Sequence, residues 1–556
     1  MIPAILLLIA ISAPYNSPGY TAWTHSSGFL GDWFSSSNWS KGVPTQNDYA
    51  DIANGGAAQI ASTIATARYL YLKNSSSLFL DALGQLEVGS EGAANINYGD
   101  GLLRILDDAY FRQSGGTLTV FQNFTVSRGI YHLSDGNLSL QPVWTTFSNP
   151  PDPLIWYLQD PSFTISQDGR VVQDFGVVSV SDTTGNEGGW GPCQGYKELN
   201  VFGHYELNQG TLRLDGNVYA DADVVGTFIQ NGGAFEVSGL LNVCEHTYLP
   251  AAGVYELNGG TLSAHMFWLS GGTLIVKDEP IVDVWYMRVE PSFGRSAYCD
   301  LMGGMLTVRA LIVGEVGEPY YSLTHEGLLH IGAEPQTRIA VQGYLWLGAG
   351  AHVKADVGSA IHMLGADLIV ESTDSRALEG LGSLRIVFED PPAQEAFDTF
   401  EVAGTDDGPS IIGFRDNFGL RELHVGTPDT PARVWLVDAY DNDADGSASE
   451  ALYVGKLVLN AGSVLDLQGL ALYYLELVNL GASVRPDGAA LLPCSVDAFD
   501  ANGDGHINVF DFGRFSECLG GPLINRPMDC LVLFDCDGDE DTDLMDFQCF
   551  ALQLTD

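Results

Sequence analysis

The sequence predicts a mostly β protein: a right-handed parallel β-solenoid (β-helix) with a small α-helical module at its C-terminal end. Three observations lead there. Gly-rich ten-residue segments recur along the first 334 residues, helix signals are almost absent before residue 490, and acidic residues follow a strict spacing in two segments after it. The chain has 556 residues, too many for one small core, so a long repeat or several domains are expected.

The repeated segments share an aromatic or apolar opening, a turn pair and an alternating apolar strand. They are FRQSGGTLTV (111–120), YHLSDGNLSL (131–140), YELNQGTLRL (205–214), FIQNGGAFEV (228–237), YELNGGTLSA (255–264) and FWLSGGTLIV (267–276), with decayed copies CDLMGGMLTV (299–308) and YSLTHEGLLH (321–330). The strand Leu or Phe recurs at 118, 138, 212, 235, 262, 274, 306 and 328. Several intervals fall between 20 and 27 residues, and the step of 12 from 262 to 274 predicts two strands of one coil. This period is typical of stacked coils that share a core.

The pattern divides the chain into four parts. Gly-rich solenoid repeats are predicted over 20–334, interrupted by a Pro- and aromatic-rich excursion at 141–200. Residues 335–485 keep short strands without the Gly-Gly motif, which predicts irregular coils or an end domain, and 490–556 form the terminal module. A β-sandwich is the main rival, but it does not need near-identical decapeptides. The absence of helix signals excludes alternating βα folds.

The first residues, MIPAILLLIAIS, predict a secretory signal peptide over 1–12, because the apolar run is too short to span a bilayer. The formal net charge is −46, so nucleic acid and anionic membrane surfaces are poor partners. No later stretch reaches 18 uncharged apolar residues, and we therefore expect no membrane span.

The segment FDANGDGHINVFDFGRF (499–515) matches the ligand order of a twelve-residue calcium loop. Gly505 stands at position 6, where such a loop turns sharply. Oxygen-bearing side chains occupy positions 1, 3, 5, 9 and 12, and position 7 offers a backbone carbonyl. The predicted ligands are Asp500, Asn502, Asp504, His506, Asn508 and Asp511.

A second loop begins 35 residues later, at Asp535, and is followed by a similar tail, DFQCF after DFGRF. Its predicted ligands are Asp535, Asp537, Asp539, Asp541, Asp543 and Asp546, with Asp541 offering its backbone carbonyl. Position 6 is Glu540, and a left-handed non-Gly residue costs about 1–2 kcal/mol. We therefore expect two calcium ions, with the second site weaker or reshaped, and folding that is linked to calcium.

Two calcium loops related by duplication, each running into a short helix, resemble a dockerin type I module with EF-hand-like loops. Position 12 is Asp in both loops, as in dockerins. The resemblance implies calcium-dependent folding, secretion and docking to a cohesin-like or other cell-surface protein. Val509–Phe510 and Leu544–Met545 stand where cellulosomal dockerins carry Ser–Thr recognition pairs, so the chain departs from the standard cohesin-binding pattern.

The body of the chain has its own resemblance. The stretch WTHSSGFLGDWFSSSNWSKGVPTQNDYADI and the closing EALYVGKLVLNAGSVLDLQGLALYYLELV (450–478) resemble large secreted bacterial β-solenoid proteins with autotransporter-passenger-like repeats. The resemblance covers most of residues 20–480. It implies an architecture and says almost nothing about activity.

Five of the eight cysteines lie between 494 and 549, as expected of a small disulfide-stapled exported module. Cys518 and Cys530 flank a Gly- and Pro-containing loop and are the first choice for a bridge. The other connectivity stays open. Cys193, Cys244 and Cys299 are interpreted as buried free thiols.

Other candidate sites are weaker. The nearest carboxylate pairs for catalysis are Asp107–Asp108 and Asp221/Asp223, and no hydrolase, zinc or phosphate-loop motif is present. Aromatic residues that form either a sugar-stacking platform or solenoid caps are Trp144, Trp156, Tyr157, Trp190, Trp285 and Tyr286. The acidic stretch YDNDADGSASE (440–450) is interpreted as a solvated turn, because Leu452 would stand at its twelfth position.

These observations favour an exported structural or adhesive protein that binds calcium and docks through its C-terminal module. Whether it is also an enzyme is left open, leaning towards none. The alternatives are a dockerin-tethered polysaccharide hydrolase or lyase and a non-catalytic carbohydrate-binding protein, and polysaccharide is the further partner these would imply. A carboxylate cluster about 5–10 Å across on one solenoid face would favour the enzyme.

Overall fold

The computed structural model describes most of the chain after its first 18 residues. The described ranges are 19–25, 29–89, 101–147, 155–159, 161–182, 198–216, 220–244, 252–292, 295–315, 326–389, 396–442, 449–485, 490–496, 498–520, 528–537, 539 and 541–554. The predicted signal peptide, 1–12, lies outside them. The chain divides into two compact units, residues 1–172 with 178–181 and residues 173–177 with 182–556.

Short strands fill both units. Those up to residue 182 are β1 Gly19–Ala22, β2 Leu30–Asp32, β3 Asp48–Ile52, β4 Ala57–Ile60, β5 Ile64–Ala67, β6 Tyr69–Leu72, β7 Ser77–Leu80, β8 Gln85–Val88, β9 Leu102–Leu106, β10 Tyr110–Phe121, β11 Asn123–Ser127, β12 Ile130–Gln141, β13 Val143–Phe147, β14 Ile155–Gln159, β15 Ser162–Ile165, β16 Arg170–Gln173 and β17 Val177–Asp182.

The later strands are β18 Leu199–Val201, β19 His204–Leu207, β20 Thr211–Gly216, β21 Ala222–Val224, β22 Thr227–Gln230, β23 Ala234–Cys244, β24 Val254–Leu257, β25 Thr261–Ser270, β26 Thr273–Val276, β27 Ile281–Glu290, β28 Ala297–Leu301, β29 Gly304–Val313, β30 Gly327–Ile331, β31 Thr337–Leu347, β32 Ala351–Ala355, β33 Ala360–Met363, β34 Asp367–Val370, β35 Arg385–Phe388, β36 Asp398–Glu401, β37 Gly404–Thr405, β38 Leu420–Val425, β39 Arg433–Val437, β40 Glu450–Leu459, β41 Val464–Asp466, β42 Ala471–Asn479, β43 Ser483–Arg485 and β44 Leu491–Pro493.

Helices are few in the described residues. Single 3₁₀ turns occur at Ser36–Asn38, Glu379–Ser383 and Ile411–Phe414, and the α-helices, α1 Val509–Cys518, α2 Met528–Phe534 and α3 Leu544–Gln553, all lie near the C-terminus. The predicted combination of a long β repeat and a small helical end is confirmed.

The first unit stacks parallel strands so that equivalent side chains form internal columns. One column runs through β3, β6, β9, β11 and β15 and consists of Ala50, Leu70, Leu103, Phe124 and Phe163. Every member is fully buried. Alternate residues of these strands point to opposite faces, so a period of two along the strand supplies one inward side chain per rung.

The second unit repeats the same construction over more coils. Its longest column joins residues that are partners in successive parallel strands, Leu212, Phe235, Leu262, Val282, Leu306, Ile339, Ile361, Ile386, Leu423, Leu457 and Leu477. A second column joins Tyr205, Phe228, Tyr255, Leu274, Cys299, Leu329 and Val353. The parallel β-solenoid prediction is therefore confirmed.

The columns test three of the strand positions predicted from the repeats. Leu262 and Leu274 lie in different columns, as the short step between them predicts for two strands of one coil. The rung predicted at Leu328 is wrong by one residue, because Leu329 is the partner of Cys299 and is buried. That copy lacks the Gly-Gly pair by which most of the other repeats are aligned.

The turn glycines are required by close approach as well as by backbone angle. Gly233 and Gly260 have φ of 70° and 82°, where a side chain is disfavoured. A Cβ on Gly260 would lie 2.2 Å from the carbonyl oxygen of Gly233, and a Cβ on Gly233 would lie 2.5 Å from that of Gly210. Each turn therefore rests on the carbonyl of the turn one coil earlier.

The structure also describes parts of the two regions predicted to depart from the regular repeat. Within the predicted excursion at 141–200, β13 and β14 form an antiparallel pair, while β15 is paired in parallel with β11 as part of a coil. Strands continue through 335–485 with parallel pairing, and β37 pairs antiparallel with β40.

The cysteine predictions meet mixed outcomes. Cys518–Cys530 is a disulfide, as predicted, and a second bridge joins Cys536 to Cys549. Cys299 is a buried free thiol, and its column position explains why burial raises its pKa. The interpretation of Cys244 as a free thiol is wrong, since it is disulfide-bonded. Cys193 lies outside the described residues.

The C-terminal module packs on the closing coils of the second unit through one apolar cluster. Its residues from the coils are Ile411, Phe414, Ala451, Tyr453 and Tyr473, and those from the module are Phe499, Ala501, Phe515, Cys518, Cys530, Leu533, Phe534 and Phe550. The module is thereby fixed to the solenoid end by buried side chains as well as by the chain itself.

Candidate metal centre

The first loop winds its backbone around two buried carboxylates, those of Asp500 and Asp511. Asp500 is 4% exposed and Asp511 is fully buried. Asp500 accepts hydrogen bonds from the backbone N–H groups of Gly503 at 2.8 Å and Gly505 at 2.7 Å. Asp511 accepts from Ala501 at 2.8 Å. The first and last predicted ligands therefore set the curvature of the whole loop.

The exposed side of this loop gathers the other predicted oxygen donors. The amide nitrogen of Asn502 donates to Asp504 Oδ2 at 3.0 Å, and the backbone N–H of His506 donates to Asp504 Oδ1 at 2.8 Å. The side chain of Asn508 donates to the His506 carbonyl at 3.3 Å. Gly503 and Gly505 both have positive φ, 70° and 79°, so the turn predicted at position 6 is present.

Each loop ends in the same helix start. Asn508 caps α1 and exchanges hydrogen bonds with Asp511, and Asp543 caps α3 and exchanges them with Asp546. The matching distances are 2.8 Å from Asn508 N–H to Asp511 Oδ2 and 2.7 Å from Asp543 N–H to Asp546 Oδ2. The last carboxylate of each loop thus has two tasks, capping a helix and closing the loop.

The second loop gathers carboxylates in two places. In two groups of three, Asp535 with Asp537 and Asp539, and Asp541 with Asp543 and Asp546, the carboxylate oxygens lie within 4.8 Å of one another. Asp541 is 3% exposed, and within the described part of the loop neither its Oδ1 nor the buried Thr542 Oγ1 has a hydrogen-bond partner. Gly538 and Glu540 lie outside the described residues.

The electrostatics of the second loop follow from this crowding. Partial desolvation, with the neighbouring carboxylates of Asp539 and Asp543, raises the pKa of Asp541 above its usual range. Desolvation and the charge of Asp539 raise the pKa of Asp537 in the same way. A hard divalent cation takes six to eight oxygen ligands, mostly carboxylates and carbonyls, and it relieves such repulsion. The donor set fits calcium.

Covalent and ionic links hold the helices that carry the loops. The disulfides join Cys518 at the end of α1 to Cys530 in α2, and Cys536 in the second loop to Cys549 in α3. Arg514 on α1 donates to Asp529 on α2 at 3.0 and 2.7 Å. The loops are therefore mounted on a stapled helical frame.

The helix starts also carry an apolar surface that the cluster described above leaves uncovered. Val509 and Phe510 are 71% and 76% exposed, and Leu544 and Met545, at the equivalent places after the second loop, are 69% and 54% exposed. Single exposed apolar side chains are common on any protein surface, but exposed pairs at equivalent positions of two repeats are not. We call these four residues the twin apolar pairs.

The carboxylate pairs considered for catalysis have other partners. Asp107 and Asp108 lie in a turn with φ of 49° and 61°, and Asp107 forms an ion pair with Arg128. Asp221 accepts the backbone N–H of Leu240 at 2.7 Å, and the buried Asp223 accepts from Asn242 at 3.2 Å. Among the described residues, a surface depression of about 600 Å³ is lined by one carboxylate, that of Asp32.

The aromatic platform is only partly visible. The side chains of Trp144, Trp156 and Tyr157, and the whole of Trp190, lie outside the described part of the chain. Trp285 is 52% exposed, stacks on His265 with ring centroids 6.1 Å apart and has the Arg309 guanidinium 4.4 Å from its ring. Burial raises the pKa of Tyr286 to about 12.

Comparison with known proteins adds no identification: no family model, no curated protein and no solved structure matches this chain. Among the helices that the structure describes, none combines the length and the apolar character that crossing a bilayer requires.

Proposed function

We propose that this is an exported structural or adhesive β-solenoid protein that binds two calcium ions in its C-terminal loops and docks through them to a partner protein. The observation that carries the proposal is the duplication. Two acidic loops end in the same capping box, and each is followed by an exposed apolar pair in the same place. A calcium staple alone accounts for the loops but gives no reason for the twin apolar pairs.

In this function calcium holds the two helix starts in position. Asp500, Asn502, Asp504, Asn508 and Asp511, with the carbonyl of His506, hold one ion, and Asp535, Asp537, Asp539, Asp541, Asp543 and Asp546 provide the ligands of the other. Because Asp511 and Asp546 belong both to a loop and to a helix cap, neutralising the loop charge also fixes the helix that carries each apolar pair.

The partner is a protein whose apolar patch is surrounded by basic side chains. The module from 490 to 556 has Arg514 and Arg526 as its only basic residues besides His506, while acidic residues lie beside both apolar pairs. Apolar contact supplies affinity at the centre of such an interface, and charge complementarity at the rim supplies the rate and the choice of partner.

The solenoid supplies the presented surface. Its internal columns are continuous and its pairs of carboxylates make structural contacts, so the body is a scaffold in this proposal. Export is supported by the disulfides of the C-terminal module, since such bonds persist in oxidising compartments. A cohesin-like protein is one partner of the proposed kind, and a polysaccharide is not required.

The proposal is tested by binding of the purified chain to cell-envelope proteins of its own source organism, with calcium and with a chelator. The double variant Phe510→Asp, Met545→Asp places charge in both apolar pairs without touching a calcium ligand. We expect saturable, calcium-dependent binding by the unmodified chain and its loss in the double variant.

The matched control is Leu83→Asp, which alters a side chain 76% exposed in the first unit, far along the chain from the module. It should bind as the unmodified chain does. Equal binding by the double variant, or binding that is indifferent to the chelator, would overturn the docking proposal.

A further inference from the structure

The acidic stretch YDNDADGSASE (440–450) belongs to neither calcium loop of the C-terminal module. Residues 443–448 lie outside the described part, but the residues on either side of them are described. The stretch follows β39 and ends at the start of β40, and Glu401, the last residue of β36, lies against it. Its described ends form a compact anionic arrangement.

Two buried carboxylates accept hydrogen bonds from backbone N–H groups just before residue 443. Glu401 Oε1 accepts hydrogen bonds from the N–H groups of Ala439 at 2.7 Å and Tyr440 at 2.9 Å. Glu450 Oε1 accepts from the N–H of Asn442 at 2.7 Å. Three amides of residues 439–442 are therefore bound by two carboxylates, one at the end of β36 and one at the start of β40.

The side chain of Asn442 is also held by hydrogen bonds, but only through its nitrogen. Its side-chain nitrogen donates to the carbonyls of Val370 at 3.0 Å and Ser372 at 2.9 Å. Both donors of the amide are thereby used. Among the residues that the structure describes, the buried Oδ1 of Asn442 and Oε2 of Glu450 have no hydrogen-bond partner.

An unpaired buried polar oxygen is costly, and here two of them occur in neighbouring residues. Asn442 is 3% exposed, Glu450 5% and Glu401 2%. Neither glutamate forms an ion pair within the described residues. The exposed Asp438 and Asp441 add like charge beside them, and burial together with Asp438 raises the pKa of Glu401 and of Glu450 to about 7.

We propose that Glu450, Asn442 and Glu401 form a third divalent-cation site, separate from the C-terminal loops and suited to a hard ion such as calcium. Glu450 Oε2 and Asn442 Oδ1 are its first ligands, and Glu401 supplies the second charge. Glu450 closes the acidic stretch two positions before Leu452, the residue whose apolar side chain made the stretch look like a solvated turn.

The rival explanation is a proton. If Glu450 were protonated and donated to Asn442, both orphan oxygens would be satisfied without a metal. The two explanations differ in a measurable way, because a lanthanide ion substitutes for calcium at oxygen sites and its luminescence is excited by a nearby indole.

Such an indole is present. The rings of Trp346 and Tyr440 have centroids 6.2 Å apart, and the N–H of Tyr440 is bound by Glu401. Residues 490–556 contain neither Trp nor Tyr, so the C-terminal loops have no sensitiser of their own. Terbium chloride added to the full chain, with excitation of tryptophan only, therefore tests the third site through the emission that depends on Trp346. We expect saturable emission that is displaced by calcium.

Glu450→Gln should raise the terbium concentration at half-maximal emission about tenfold or more, because it removes one ligand charge and keeps the size of the side chain. Trp346→Phe should abolish the emission without changing calcium binding, which identifies the donor. Glu476→Gln on β42, an exposed acid paired with Lys456 at 2.9 Å, is the matched control and should leave the titration unchanged. Circular dichroism checks the fold of each variant.

Two results would overturn the proposal. Emission that is the same in Glu450→Gln as in the unmodified chain would place the ion elsewhere. An absence of sensitised emission in the unmodified chain would assign the orphan oxygens to a shared proton. Neither result depends on whether the C-terminal loops bind calcium, so the two claims stand or fall separately.

Discussion

Inside the solenoid, a buried glutamine and a tyrosine of a later coil form a pair that occurs three times among the described residues. The hydroxyls of Tyr131, Tyr205 and Tyr255 donate to the side-chain oxygens of Gln113, Gln173 and Gln230 at 2.7, 2.7 and 2.5 Å. Each glutamine also donates to two backbone carbonyls near a turn, as Gln230 does to Gly233 and Thr261. These pairs connect coils within the core, where a polar group must be satisfied.

Tyr255→Phe tests this device. It removes the donor and leaves Gln230 Oε1 buried and unpaired, so we expect a loss of about 1–3 kcal/mol in the free energy of unfolding, read as a lower urea midpoint. Tyr298→Phe, on a residue 47% exposed, is the control and should change the midpoint little. A loss no larger than the control's would show that the pair contributes nothing.

A histidine links coils on the outside. His362 Nε2 lies 2.8 Å from Glu334 and its Nδ1 lies 2.6 Å from Glu389, and Glu334 also pairs with Arg385. The hydrogen bond to Glu389 raises the pKa of His362 above 6.5, and the same bond lowers the pKa of Glu389 below 4.5. Both shifts show that the pairing stabilises the charged imidazolium between the two carboxylates.

The pH dependence of stability follows from these directions. The His362 contribution is complete below pH 6.5 and is lost as the pH rises through its folded pKa; the Glu389 contribution is complete above pH 4.5 and is lost as the pH falls. We expect the stability difference between the unmodified chain and His362→Gln to be largest between these values and to shrink at higher pH. A difference that is constant with pH would contradict the charged pairing.

At the scale of the strand and turn, successive coils stack closely because each glycine turn packs against the backbone of the turn one coil earlier. Gly260→Ala and Gly469→Ala both place a Cβ at positive φ, 82° and 89°, but the first meets a carbonyl at 2.2 Å and the second meets nothing within 4 Å. We expect Gly469→Ala to cost about 1–2 kcal/mol and Gly260→Ala clearly more. Thermal unfolding of both variants measures the difference, and equal costs would show that turn stacking is not tight.

The sequence predicted the elements better than their contacts. The period of the Gly turns and apolar strands was enough for the parallel solenoid, because one inward residue per rung repeats along the chain. It could not predict the Gln–Tyr pairs, whose partners lie 18, 32 and 25 residues apart in different coils. Nor could it predict the bonded state of Cys244, which depends on tertiary proximity.

For the candidate metal centre, the spacing of acidic residues predicted six second-loop ligands for one ion. The structure describes two groups of three carboxylates there, and their binding of an ion stays a prediction. The spacing did not predict the orphan oxygens of Asn442 and Glu450. Those arise because Val370, Ser372 and Glu401, from segments distant in sequence, take the other hydrogen-bonding atoms of the stretch or of its neighbours.

At the scale of the second unit, the helical module acts as a cap. Phe499, Phe515 and Phe534 of the module belong to one buried apolar cluster with Tyr453 and Tyr473 of the closing coils, and a solenoid needs a covered end because its last coil otherwise exposes its core. The helical module therefore contributes to the stability of the coils it packs on, and that contribution is measured in the intact chain.

Deleting residues 494–556 tests the cap. We expect faster hydrogen exchange at the amides of Ile411–Phe414 and of Ala451, Tyr453 and Val454, together with a lower thermal midpoint, since the apolar cluster loses one side. Exchange in the column around Leu262 should stay as it was. Unchanged exchange near Tyr453 would mean that the module does not stabilise the coils.

The measurement that tests the central claim most directly is hydrogen exchange of the intact chain, free of metal and then with millimolar calcium, against magnesium as the control ion. The account predicts that calcium slows exchange at the amides of both loops, 501–508 and 536–543, and through α1 and α3, while magnesium does much less. Exchange in these segments that is the same with and without calcium would contradict it.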